Sequence, residues 1–285
     1  MPDPMQPIAF LLAGGAILLW SSLALLGSSL GHLPAILITG IALSIGGILG
    51  MTRVKEWRVP ARTLLVGVGG IFGYHVLLFT AFRLAPVVEA NLINYLWPLL
   101  IVLLTPLVLP GFGLRTHHVV GAVMGLTGAV LIVTGGSISP DLSALPGYLL
   151  AAAAAITWAV YSLLTKRLPT FGSGAVGAFC LASGALSLGV YLAQAGTGGF
   201  AVLQAGDWPL LLLLGAGPMG AAFFLWDAAL KRGDPRVIGS LSYITPLLST
   251  LALTLFGGRR VSVLAGAAMA LIVAGAVTGS WNRSR

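Results

Sequence analysis

Apolar residues run along this chain in long stretches of about twenty, separated by short polar breaks. The stretches are rich in Leu, Ala, Val and Gly and show no alternation with a period of two, which argues against the strands of a membrane barrel. A bilayer core of ~30 Å takes about 20 helical residues, and lipid forces the backbone of a spanning segment to satisfy itself. The pattern therefore predicts an all-α membrane protein with ten transmembrane helices, at 7–27, 33–51, 62–82, 88–109, 118–135, 147–165, 173–194, 209–230, 236–256 and 261–280. The connections are too short to fold as separate soluble domains.

Composition turns the pattern into a constraint. Of 285 residues, 58% are hydrophobic and only 8% are charged. Soluble chains carry about a quarter charged residues, so this one could not cover a water-facing surface. That excludes a soluble enzyme. All fifteen Lys and Arg residues fall at or between the span boundaries. With the N-terminus inside, twelve lie on the inner side: Arg53, Lys55, Arg58, Arg62, Arg115, Lys166, Arg167, Lys231, Arg232, Arg236, Arg283 and Arg285. Arg83, Arg259 and Arg260 lie outside. This bias predicts a bacterial inner-membrane protein with both termini in the cytoplasm. It also accounts for the net charge of +8 without a nucleic-acid surface.

The first span has no basic leading segment and is preceded by Asp3, so a retained helix is expected rather than a cleaved signal. Cys180 is the only cysteine, which rules out disulfides and thiolate metal clusters. Several motif matches carry no chemistry in this context. Gly215-Ala-Gly-Pro-Met-Gly220 satisfies G-x-G-x-x-G but lies inside a span with no βαβ unit, and it reads as a helix-packing surface. Gly27-Ser-Ser-Leu-Gly31 satisfies G-x-S-x-G but ends a membrane helix rather than forming a strand–turn–helix elbow. His117-His118 is a pair without further metal ligands, and Asn282-Arg283-Ser284 is a glycosylation pattern on the cytoplasmic side. No cofactor is indicated.

The chain also repeats itself. Ala9-Phe-Leu-Leu-Ala-Gly-Gly-Ala-Ile-Leu-Leu-Trp20 aligns without a gap on Gly147-Tyr-Leu-Leu-Ala-Ala-Ala-Ala-Ala-Ile-Thr-Trp158. Asn94-Tyr-Leu-Trp-Pro-Leu99 aligns on Ser242-Tyr-Ile-Thr-Pro-Leu247, and Gly121-Ala-Val-Met124 on Gly266-Ala-Ala-Met269. Five spans per copy is an odd number, so the second copy enters the membrane from the opposite side. Residues 1–138 and 139–285 are thus expected to be two inverted five-helix repeats, an arrangement typical of secondary transporters with a site near the midplane.

Two Trp-containing halves, each with Tyr-x-x-Pro in its fourth helix, resemble the drug/metabolite transporter superfamily and its EamA-type members over the whole chain. Within these, Tyr74-His75 and Asn94-Tyr95-x-Trp97-Pro98 resemble the YddG-type aromatic amino acid exporters. The resemblance implies efflux of amino acids, chiefly aromatic ones, from the cytoplasm.

Candidate site residues follow from periodicity and depth. Asn91, Asn94, Tyr95 and Pro98 share one helical face, and Gly239, Ser242, Tyr243 and Pro246 repeat it. Each proline frees the carbonyl four residues back, so each stripe should face protein or a water-filled cavity. The competing reading is that small and polar residues simply join helices. Trp20, Trp97 and Trp158 lie deep in their spans, whereas Trp57, Trp208 and Trp281 sit at span ends as interfacial anchors. The deep rings are candidates to stack on a substrate, against plain core packing. Tyr74 and His75 lie near the middle of the third span. His75 is a candidate to bind a substrate carboxylate or relay a proton, against a helix-to-helix hydrogen bond. Tyr161 shares a face with Trp158.

Of the acids, Asp227 can pair with Lys231 at i+4, and Glu89 opens the fourth span near Arg83. The remaining spans hold no deep carboxylate, which favours facilitated diffusion or uniport over ion-driven pumping. The expectation is a monomeric exporter in the lipid bilayer, acting on aromatic or other amino acids. The alternatives are export of another metabolite or drug-like solute, proton-coupled export, and a membrane scaffold or receptor.

Overall fold

The computed structural model describes residues 7–137, 142–257 and 263–280. Asp3, Arg259, Arg260, Trp281, Arg283 and Arg285, and the Asn282-Arg283-Ser284 pattern, lie outside the described residues. The first half contains α1 (Pro7–Ser21), α2 (Leu23–Ser29), α3 (Ala35–Leu49), α4 (Ala61–Leu84), α5 (Val87–Asn94), α6 (Leu96–Val108) and α7 (Thr116–Thr134). The second contains α8 (Leu145–Arg167), α9 (Val176–Ala195), α10 (Asp207–Ala216), α11 (Ala222–Arg232), α12 (Pro235–Leu241), α13 (Ile244–Gly257) and α14 (Val263–Ser280). No strand occurs among the described residues.

Among the described residues, eight stretches are long and apolar enough to cross a membrane, from Pro7–Gly27 to Asp207–Arg232. They coincide with the first eight predicted spans. Helices α12 and α13 occupy the ninth predicted stretch and α14 the tenth. Leucines such as Leu11, Leu65 and Leu107 are about three-quarters exposed. In water they would be a liability; against lipid tails they are the expected outer surface.

Four predicted spans are broken, each for an identifiable reason. Between α1 and α2 the Ser21 and Ser22 hydroxyls donate to the carbonyls of Leu18 and Leu19 at 2.6 and 2.7 Å, competing with the helical ladder. Pro98 cannot donate to Asn94, and the helix divides at Tyr95 into α5 and α6. Pro246 likewise frees the Ser242 carbonyl, which the Thr245 N–H takes up at 3.0 Å between α12 and α13. Pro218 withholds its donor from Leu214, and Gly217–Ala221 widens into a π-turn between α10 and α11.

The helices pair as α3 with α9, α7 with α14, α4 with α8 and α1 with α11. The α7–α14 contact is close because a Cβ on Gly121 would collide with the backbone of Gly275 and Gly279. Gly215 and Gly220 abut Ala42 and Gly46 of α3 in the same way, so the G-x-G-x-x-G run is a packing surface.

Candidate functional site

A cavity of about 720 Å³ lies between the helices. Its closed end is a cluster of indoles. The ring centroids of Trp20 and Trp158 are 5.9 Å apart, those of Trp20 and Trp97 6.2 Å, and those of Trp97 and Trp158 6.4 Å, all edge to face. Aromatic quadrupoles favour that arrangement over flat stacking. The Trp20 indole N–H donates to the Pro218 carbonyl at 3.1 Å, so the π-turn supplies the partner a buried tryptophan needs. From this floor the lining runs past Tyr74, His75 and Phe79 to Gly27, Gly31, Phe82 and Val87. Val87 is 56% exposed, so the cavity reaches that end of the bundle. The same end is marked by His32, whose Nε2 lies 3.2 Å from the Asp207 carboxylate.

The opposite end is closed by cations placed on carbonyls and rings. The Lys166 Nζ donates to the carbonyls of Leu230 and Gly233 at 2.8 and 2.6 Å, tying α8 to the end of α11. Lys231 pairs with Asp227 at 2.7 Å, as their spacing predicts, and lies 3.4 Å above the Phe171 ring. Arg236 is held by Asp234 and donates to the Gly113 carbonyl. The cationic heads of Lys166 and Arg236 lie 5.5 and 5.4 Å from the centre of the Phe112 ring. Glu89 accepts from the Tyr148 hydroxyl, and among the described residues no ion pair joins it to Arg83. Glu89 stands in the first turn of α5, where it reaches across to α8 rather than back to α4.

Of the residues singled out by sequence, Trp20, Tyr74, His75, Asn91, Asn94, Tyr95, Trp97 and Trp158 line the cavity. Five do not. Tyr161 packs its ring against Gly70, behind Trp158. Ser242 returns its hydroxyl to the Ile238 carbonyl at 2.9 Å. Tyr243 is fully buried against Gly125, with its hydroxyl at the α5–α6 junction. Pro98 faces Gly239 through its carbonyl, and Pro246 is buried without lining the cavity. The stripe from the second half is thus buried in a helix contact, while Asn91, Asn94 and Tyr95 of its first-half twin face the cavity. Equal sequence stripes thus meet unequal surroundings.

Sequence reasoning missed Phe223, Phe79, Thr245 and Ser249 in the lining, and Trp226 beneath it. Trp226 lies 5.1 Å from Trp20 and 5.5 Å from Trp97, and it donates to the Ser162 hydroxyl at 3.0 Å. A signal for Phe223 was present. With Gly67 aligned on Gly215, Phe223 falls opposite His75, and the two rings meet at 6.3 Å. Met219, Phe223 and Trp226 also follow helical spacing on one face of the eighth span.

Comparison with known proteins fits this geometry. The EamA-like transporter family matches residues 7–134 and again residues 145–280. The chain is 43% identical to the aromatic amino acid exporter YddG of Ancylobacter novellus, covering 95% of this chain and 96% of that protein. It is 28% identical to proteins of the same name from Salmonella typhimurium and Escherichia coli, over 90% and 82% of this chain and 92% and 84% of theirs. A crystal structure at 42% identity superposes with a TM-score of 0.88, covering 95% of this chain and 96% of the other.

Proposed function

The chain belongs to the EamA-like transporter family, and from that premise we propose that it exports amino acids, chiefly aromatic ones, across the bacterial inner membrane. The observation that carries this reading is the floor of the cavity, where Trp20, Trp97 and Trp158 present ring edges and faces to whatever enters. An aromatic side chain lodged there would exchange water for indole, and aromatic pairs gain roughly 0.5–1.5 kcal/mol beyond the area they bury. The polar groups of Tyr74, His75, Asn91 and Asn94 stand beside the floor, placed for the amino acid's charged head.

The two halves act as inverted repeats, residues 1–138 and 139–285, each of five spans. Two matches of one family support this, as does the helix pairing. A two-fold axis in the membrane plane pairs the second span with the seventh and the fifth with the tenth, which is α3 with α9 and α7 with α14. It exchanges the third–sixth contact for the eighth–first, which is α4 with α8 and α1 with α11.

Both termini lie in the cytoplasm. The end closed by Lys166, Lys231 and Arg236 is then the cytoplasmic one, in keeping with the positive-inside rule, and the cavity opens outward. The same reading takes the protein as a monomer. Transport runs down the substrate gradient: no Asp, Glu, Lys or Arg is among the described residues lining the cavity. Uptake of radiolabelled tryptophan, phenylalanine and unrelated solutes by proteoliposomes, with and without a proton gradient, tests the whole reading. Equal uptake of all solutes, or none of the aromatic ones, would overturn it.

A further inference from the structure

His75 is 6% exposed and lines the cavity from the middle of α4. Its Nδ1 lies 2.7 Å from the carbonyl oxygen of Ile71, one turn back on the same helix. A carbonyl oxygen only accepts, so Nδ1 must carry the proton. The remaining ring nitrogen, Nε2, bonds to no other group among the described residues, and it is not occluded, so it opens on the cavity. The rings around His75 are those of Tyr74, Phe79 and Phe223, at 5.1, 5.8 and 6.3 Å. No carboxylate lines the cavity among the described residues. An imidazolium in this setting would be a buried charge without a counter-ion, so the neutral ring is the form the surroundings favour. In a neutral imidazole whose Nδ1 is protonated, Nε2 is a bare acceptor.

That polarity is opposite to what a carboxylate needs. Two acceptors repel each other, whereas an ammonium group brings N–H donors to the Nε2 lone pair. The neighbouring hydroxyl has the complementary character. Tyr74 accepts from the Asn94 side-chain amide at 3.1 Å, which leaves the Tyr74 proton free to be donated. Consecutive residues therefore offer an acceptor and a donor side by side, a pairing matched to the two ends of a zwitterion.

We propose that His75 accepts from the substrate's ammonium group through Nε2, while Tyr74 donates to its carboxylate, so that this pair sets the orientation of the amino acid above the indole floor. The proposal rests on the reading of the protein as an amino acid exporter. It names a selectivity that reading does not contain: amines are bound and acids lacking an amine are rejected.

The test uses the full chain in proteoliposomes, with radiolabelled tryptophan uptake competed by unlabelled tryptophan, tryptamine or indole-3-propionate. Tryptamine keeps the ring and the ammonium; indole-3-propionate keeps the ring and the carboxylate. For the natural sequence, tryptamine is expected to compete roughly tenfold more weakly than tryptophan, the scale of the one charged-group hydrogen bond it loses at Tyr74, and indole-3-propionate more weakly still, because it loses the bond at His75 and also brings a carboxylate to the bare Nε2 acceptor. His75→Leu should weaken tryptophan and tryptamine by roughly tenfold and leave indole-3-propionate unchanged. His75→Gln should restore the preference for amines, because an amide oxygen can accept. Ligand-induced stabilisation of each purified variant against heat gives the same comparison where transport is lost, since binding to the folded state alone raises its stability. If His75→Leu instead selectively weakens indole-3-propionate, or weakens all three ligands equally, His75 does not read the ammonium and the proposal falls while the export reading stands. If the natural sequence neither takes up tryptophan nor is stabilised by it, the export reading falls and takes this proposal with it.

Discussion

The hydroxyl of Tyr243 occupies the place of a missing helical hydrogen bond in the other half of the chain. It donates to the Tyr95 carbonyl and accepts from the Leu99 N–H, both at 3.1 Å. In an unbroken helix those two backbone groups would bond directly, four residues apart. Here the chain opens at Tyr95, and a side chain 148 residues further on is spliced into the gap. The polar break next to Asn94 is thereby satisfied within protein, as a non-aqueous surrounding demands.

Tyr243→Phe keeps the ring on Gly125 but removes the splice. The expected result is a loss of roughly 1–2 kcal/mol, at the upper end for hydrogen bonds between membrane helices. Thermal unfolding in detergent measures it. An unchanged midpoint would mean that the break closes on itself without Tyr243.

Trp97→Ala and Trp158→Ala should each cost roughly 1–3 kcal/mol in apparent affinity for an aromatic substrate, by removing one wall of the floor. Small polar substrates should suffer much less. Parallel kinetics for tryptophan and serine at matched membrane expression check this, and equal losses for both would indicate a folding defect instead.

Gly70→Ala should be poorly tolerated, because the added methyl group meets the Tyr161 ring, backed by Trp158. Overpacking of this kind costs typically 1–3 kcal/mol. Gly69→Ala is the matched control, since a Cβ there meets nothing within 4 Å. Yield of folded protein in the membrane should separate the two substitutions.

Lys166→Met should loosen the closed end. It removes the donor that holds the Leu230 and Gly233 carbonyls, and among the described residues no other side chain is bonded to both. A cysteine placed at Ser162, beneath Trp226, should then react several-fold faster with a thiol reagent applied from that end. Cys180 is buried and is replaced by serine in the test protein.

Substrate flux should persist when a proton gradient is collapsed by a protonophore, because the described lining offers no carboxylate to carry protons. His75→Gln should keep partial transport and remain insensitive to the gradient. Concentrative uptake that is lost both with the protonophore and in His75→Gln would overturn the facilitator reading and make His75 a proton relay.

The amino-acid sequence by itself determined the solvent, the element type and the deep aromatic positions. Too few charges for a water-facing surface, with apolar runs of bilayer length, leave helices in lipid as the one consistent solution. That Trp20 and Trp158 belong to a lining was legible from their depth in their spans, and so was the Asp227–Lys231 pair, which needs only a helical turn. Periodicity also showed that Asn91 and Asn94 share a face, and that Ser242, Tyr243 and Pro246 share another. It could not show what each face meets, because a helical period specifies a direction around one axis and contains no information about the neighbour. Only the tertiary structure decided that the first stripe borders the cavity while the second is buried in a contact between helices. It likewise turned Tyr161 onto Gly70, brought Trp226 beneath the indole floor and Phe223 beside His75. The proton on His75 follows the same rule: its presence inside a span was visible in the chain, but the Ile71 carbonyl that fixes which nitrogen is left as the acceptor is a matter of side-chain geometry.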